Sequence, residues 1–362
     1  MKKSIGLFIK VTHACNLKCT YCYDHRIIRE KNSMKIETFK SIIDMFAKDY
    51  QYINIMFHGG EPLAIGLDWY KQAIEHCKSK ASIFSYSMQS NGLLLNEEIM
   101  AFLKENKIGY GISYDGLSTE NYRLVKKESI LEKIDLLKKE TGNAGLAIVC
   151  NDVFLENIIE EYEHIKQHAT SARFNHLFGN IEKEYYEKYI EAMKKLYLHW
   201  LYDENPLRVN EMLAFTDLAV GAINKDNVCM NCHTSWIGID YDGLLGICDF
   251  GVIPREVNMG YYNYYLSAHD IVFSDFKLKH IKRVTDRIQE CIDCGCVLAG
   301  KCSGGCNAKR FYHPSEFEHD GFCMIYQSMY AFCKEVLHDA DLSIVNKYVK
   351  NILGGRHANT NH

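Results

Sequence analysis

Three thiols stand in the stretch Thr12-His13-Ala14-Cys15-Asn16-Leu17-Lys18-Cys19-Thr20-Tyr21-Cys22-Tyr23, directly after the first apolar segment of the chain. Three thiolates are one too few for a closed cage. A [4Fe–4S] cluster held by Cys15, Cys19 and Cys22 would keep one iron open for another ligand, as catalytic zinc sites keep an open position and structural ones do not. The same spacings of four and three also fit one face of a helix, where cysteine serves as a small buried hydrophobe. Spacing alone leaves the stripe, a zinc site and a cluster open. A second set follows much later: Cys229-x-x-Cys232, then Cys248-Asp249, Cys291-x-x-Cys294, Cys302-x-x-x-Cys306 and Cys323. Paired C-x-x-C units are a zinc signature as well, so one or two zinc ribbons are an equal reading of this region by itself.

The elements that must position these residues are legible as a repeat. Short apolar runs at 5–11, 53–57, 83–88, 109–113, 146–149 and 173–175 alternate with helical patterns such as 36–47, 97–105, 130–139 and 155–168. Strand–helix units of this kind imply parallel strands joined by right-handed crossovers. Four segments then lie just past strand ends: the cysteine loop, Gly59-Gly60-Glu61-Pro62, Gln89-Ser90-Asn91-Gly92 and Ser113-Tyr114-Asp115-Gly116. Three of them also read as ordinary turns, since Gly-Gly before Pro, Asn-Gly and Asp-Gly are common turn formers. Asp203-Glu204-Asn205-Pro206 ends the last of these helices. We divide the chain into residues 1–215, 225–335 and 336–362, the last a C-terminal helix and a polar, disordered tail.

The C-x-x-x-C-x-x-C motif with Tyr21 before its last cysteine, followed by Gly59-Gly60-Glu61-Pro62 after an apolar run, resembles the signature of the radical S-adenosylmethionine (SAM) superfamily. The resemblance implies a partial (β/α)6 barrel of the TIM type, with function at the C-terminal strand ends. It implies SAM chelated to the open iron, its amino group at Gly59, Gly60, Glu61 and Pro62, and further contacts from Tyr21, Asn91, Ser113 and Asp115. Many relatives have Pro after this Asp-Gly, where this chain has Leu117.

With that motif in place, the second cysteine set resembles a SPASM domain, the auxiliary-cluster extension of peptide-modifying radical SAM enzymes. Carried over, the pattern gives one [4Fe–4S] cluster to Cys229, Cys232, Cys248 and Cys306 and another to Cys291, Cys294, Cys302 and Cys323, three clusters in all. The spacer between Cys294 and Cys302 is longer than the usual form by two residues and contains Cys296, which can replace Cys294 as a ligand. Cys77, Cys150 and Cys333 read as ordinary buried thiols. Fully ligated clusters suit electron transfer.

The resemblance further implies reductive cleavage of SAM to a 5′-deoxyadenosyl radical, fed by a low-potential donor such as flavodoxin or ferredoxin, and oxidative modification of a peptide or protein side chain. Our first expectation is a thioether or carbon crosslink in a ribosomally made peptide. The second is anaerobic sulfatase maturation, Cys or Ser to formylglycine, in which the Asp after the Gly-x-x-x-x-Cys cysteine, here Asp249, is the base. A capping or solvated Asp249 is the plain alternative. A third reading is a non-catalytic iron–sulfur or zinc scaffold. His58 stands before Gly-Gly-Glu-Pro where sulfatase maturases often have Gln. The first strand begins so early that a leader-binding domain, if one is used, would be a separate partner.

The chain has 362 residues, 24% charged and 47% hydrophobic, enough for one large and one smaller domain. A net charge of −4 with no long basic run argues against a nucleic-acid surface. The apolar start is cut short by Lys10 and His13, which excludes a membrane span or a secretion signal and points to the cytosol. Fifteen cysteines there read as metal ligands rather than disulfides.

Overall fold

The computed structural model describes residues 3–24, 31–178, 181–221, 234–249, 258–302, 304–306 and 321–340. Cys229, Cys232 and the expected disordered tail lie outside these residues.

Parallel strands and helices alternate as the sequence pattern requires. In order they are β1 (Ser4–Thr12), α1 (Ile36–Asp49), β2 (Tyr52–Gly59), α2 (Leu67–Lys78), β3 (Ile83–Ser90), α3 (Glu97–Glu105), β4 (Gly109–Ser113), α4 (Thr119–Arg123), α5 (Lys127–Thr141), β5 (Gly145–Val149), α6 (Asp152–Glu156), α7 (Ile158–His168), β6 (Ser171–Asn175), α8 (Lys183–Tyr202), β7 (Arg208–Val209) and α9 (Asn210–Ala219). β1 is buried along nearly its whole length, as a strand covered on both faces must be. Each helix presents a stripe to the sheet, for example Phe39, Ile42, Ile43 and Phe46 of α1, each such side chain contributing about 1.5–3 kcal/mol on burial. Asn96 caps α3 by accepting from Ile99 N–H at 2.9 Å. The pattern at 155–168 is two helices, α6 and α7, because Asn151 caps a first short turn that Asn157 ends.

The cysteine-rich region does not stand apart from this sheet. Its strands β8 (Trp236–Ile239) and β9 (Leu245–Gly246) form a hairpin, and β8 pairs parallel with β1. The nine strands run β7-β6-β5-β4-β3-β2-β1-β8-β9. Gly238 makes the hairpin's crossing possible, since a Cβ there would lie 2.0 Å from the carbonyl oxygen of Cys248. Beyond follow α10 (Ala268–Val272), α11 (Asp275–Asp293) and α12 (Gly321–Asp339). The described part of α12 runs from Gly321 to Asp339 and so crosses residue 336. It packs back on the barrel: Ile325, Met329 and Cys333 are buried, and Phe332 and Tyr326 meet Tyr197 and Phe215 of α8 and α9.

Candidate active site

The cysteine loop hangs from three strand ends. At its start, Gly60 N–H donates to Thr12 carbonyl and Glu61 N–H to Ala14 carbonyl, both at 2.8 Å. Only glycine allows this approach. A Cβ on Gly59 would lie 2.2 Å from the Thr12 carbonyl oxygen, and one on Gly60 2.4 Å from that of Ala14. At the far side Thr20 N–H donates to Tyr122 carbonyl in α4.

The three thiols are half-buried and act on one another electrostatically. Burial raises all of them, Cys19 to about 11, so they become thiolates only when a cation is bound between them. Three half-buried thiols in one loop match the thiolate set of a cluster that keeps one iron open.

Neighbouring residues anchor this loop. Asn91 donates to Asn16 Oδ1 at 2.7 Å and also bonds the sulfur of Cys15. Glu61 is fully buried; burial raises its carboxyl, while the N–H groups of Asn91 and Leu63 and the Ser90 hydroxyl hold it at 2.8–3.0 Å. Its side chain is thus tied to β3. Asp115 is likewise buried, with Arg123 on both oxygens at 2.9 Å, Val149 N–H at 3.0 Å, and the Tyr21 hydroxyl donating to it. These contacts make Asp115 and Glu61 struts of the loop's frame. Ser113, which accepts from Gln89 at 2.9 Å, is half-buried at the strand end. Leu117 N–H donates to Glu161 at 2.8 Å, a bond a proline could not make.

Asp249 meets the other end of the loop. Tyr23 hydroxyl donates to its Oδ2 at 2.5 Å, while its Oδ1 lies 3.5 Å from Lys10 Nζ and 3.7 Å from His58 Nδ1. Lys10 and His58 are register partners on β1 and β2, so both side chains emerge on one face of the sheet. Lys10 is completely buried and also pairs with the buried Asp24 at 2.9 Å. Burial works against its charge, but the two carboxylates outweigh it and raise its pKa. Burial alone would raise Asp249, yet Lys10 and the Tyr23 hydroxyl hold it below the usual carboxylate range. His58 is lowered by burial and so is neutral. The result is an ionised carboxylate whose buried Oδ1 has no hydrogen-bond partner among the described residues. One strand further, His13 Nε2 and Asp240 Oδ1 meet at 2.7 Å, fully buried, tying the loop's start to the β8–β9 turn.

Residues 9–165 match the Radical SAM superfamily model. These residues are a radical SAM domain. The chain is 27% identical to the cysteine-type anaerobic sulfatase-maturating enzyme of Clostridium novyi (strain NT), over 91% of this chain and 95% of that one. It is 32% identical to a serine-type anaerobic sulfatase-maturating enzyme of Bacteroides thetaiotaomicron over a shorter stretch, 46% of this chain and 44% of that one. Its fold is that of the solved radical SAM/SPASM enzymes: anSMEcpe with bound AdoMet superimposes with a TM-score of 0.80 at 22% identity, covering 93% and 98% of the two chains. Streptococcus suis SuiB bound to S-adenosylmethionine gives 0.66 at 16% identity, over 89% and 77%.

The radical SAM domain thus brings together its expected thiols with Tyr21, Asn91, Gly59, Gly60 and Glu61, and adds Lys10, Tyr23, Asp24, His58 and Arg123, which motif spacing passed over. A lysine inside an otherwise apolar strand was the one signal for Lys10. Cys77, Cys150 and Cys333 are buried. Among the described residues no helix is long and apolar enough to cross a membrane.

Proposed function

We propose that this radical SAM enzyme oxidises a cysteine or serine side chain of a peptide or protein, as in anaerobic sulfatase maturation, with Asp249 as the base. The observation that carries it is the ionised Asp249 carboxylate beside the cysteine loop, with one buried oxygen that has no hydrogen-bond partner among the described residues. The relative from Clostridium novyi, alike over nearly its whole length, supports the substrate class.

Tyr23 fixes Oδ2, and Lys10 keeps the carboxylate charged, so Oδ1 is the atom that takes a proton from a substrate S–H or O–H. A carboxyl held below its usual range stores a proton poorly. His58, neutral and 3.7 Å from the same oxygen, is placed to take that proton on. Cys15, Cys19 and Cys22 would hold one [4Fe–4S] cluster, and Cys248 and Cys306, with Cys229 and Cys232, and the set around Cys291 and Cys323 would hold two more. When bound, these clusters and SAM supply the one-electron chemistry: a 5′-deoxyadenosyl radical that takes a substrate hydrogen, and an outlet for the second electron. A flavodoxin or ferredoxin would serve as donor.

A crosslink in a ribosomally made peptide, recruited by a separate leader-binding protein, is the second reading. It is favoured by His58 at the position before Gly-Gly-Glu-Pro. Anaerobic incubation with SAM, dithionite and peptides bearing a sulfatase-type Cys or Ser separates the two. An aldehyde captured by a hydrazide supports maturation, whereas loss of two hydrogens with a new side-chain bond supports crosslinking. No 5′-deoxyadenosine under any condition would sink both.

A further inference from the structure

The C-terminus of α11 decides which thiol can join Cys291. Gly295 has φ +71, and its N–H donates to the Ile292 carbonyl at 3.0 Å, while Cys296 N–H donates to the Cys291 carbonyl at 2.9 Å. These are the two bonds of a Schellman cap, which bring the residue after the left-handed glycine back against the one five positions earlier. Cys296 is therefore returned to Cys291. Cys294, at the cap itself, is exposed, and its thiol lies 3.4 Å from the Cys291 carbonyl.

Helix α12 reaches the same place. Gln327, one turn beyond Cys323, donates from Nε2 to Cys323 Sγ at 3.0 Å and approaches Cys296 Sγ at 3.8 Å. Arg287, one turn before Cys291, acts electrostatically on both Cys291 and Cys323. Cys323 is thus linked to Cys296 through Gln327 and to Cys291 through Arg287. Counted from Cys296, moreover, the spacer to Cys302 loses its two extra residues.

We propose that Cys296, not Cys294, completes the second auxiliary cluster with Cys291, Cys302 and Cys323, and that Gln327 donates its side-chain N–H to two of the cluster's sulfur ligands. The assignment rests on the reading of this region as iron–sulfur binding. Such N–H···S bonds favour the more electron-rich reduced state and raise the reduction potential, which suits a cluster that accepts an electron.

The full chain, reconstituted anaerobically, tests this by iron content, thiol alkylation and electron paramagnetic resonance. Cys294→Ser should keep the wild-type iron and lose one rapidly alkylated thiol, whereas Cys296→Ser should lose about one third of the iron, one cluster of three. Iron lost from Cys294→Ser, or kept in Cys296→Ser, overturns the assignment. Wild-type protein without auxiliary iron overturns the underlying reading instead, and the assignment with it. Gln327→Leu and Gln327→Asn are read as a pair in a redox titration. A more negative auxiliary potential in either supports the donor role; an unchanged potential in both, or loss of iron in both, overturns it.

Discussion

The Tyr23 hydroxyl donates to Asp249 Oδ2 at 2.5 Å, joining the residue after the third thiol of the loop to the residue after Cys248. Two cysteine motifs more than two hundred residues apart in the chain are thereby coupled through one proton-bearing contact. The cysteine loop and the Cys248 region meet at this carboxylate. Lys10 and His58 complete the junction from β1 and β2.

Asp249→Asn changes little volume but removes the carboxylate proposed as the base. Product formation should fall by about 10²–10⁴-fold, while 5′-deoxyadenosine still forms, uncoupled from substrate. Chromatography of both products in single-turnover reactions checks this; product at the wild-type rate would leave Asp249 a mere neighbour of Cys248.

Lys10→Met removes the cation that keeps Asp249 ionised. An opposite charge at this range lowers a carboxyl, so without it the acid limb of the product-formation profile should move up in pH. Uncompensated Asp24 should also cost about 3–5 kcal/mol of stability. A variant with an unmoved acid limb would mean that Asp249 does not set that limb.

Replacing Cys15, Cys19 and Cys22 together with Ala should abolish SAM cleavage and leave about two thirds of the iron. The auxiliary sets share no thiol with the loop. Total loss of iron would show that the clusters assemble interdependently.

Glu161 gives a pH signature of the frame. Its carboxyl is raised to about 7 by burial, and its Oε1 has no hydrogen-bond partner among the described residues. A carboxyl raised on folding binds its proton more tightly in the folded state, so wild-type stability should decline as pH climbs from about 4.5 to about 7 and level off above. Glu161→Gln should lack this decline, and the gap between the two proteins should widen with pH. Chemical denaturation at several pH values reads it; parallel curves would refute the assignment.

Much was decided by the sequence alone. Periodicity placed β4 and α3 at their observed residues, and came within a residue or two at the ends of β1, β2 and β3, most plainly at β1, whose buried residues read as an apolar run. The thiol triplet and Gly59-Gly60 were legible because ligand chemistry and close backbone approach each demand one residue type at fixed spacing. What spacing could not say is which side chains face one another across strands. Asp115, Glu61 and Asn91 carry motif positions, yet only packing shows them bonded to Arg123, Ser90 and Asn16. The hairpin's place beside β1, the packing of α12 on α8 and α9, and the meeting of Lys10, Tyr23, His58 and Asp249 depend on contacts distant in the chain. Local patterns carry local geometry, and a buried charge network is set by the tertiary structure that encloses it.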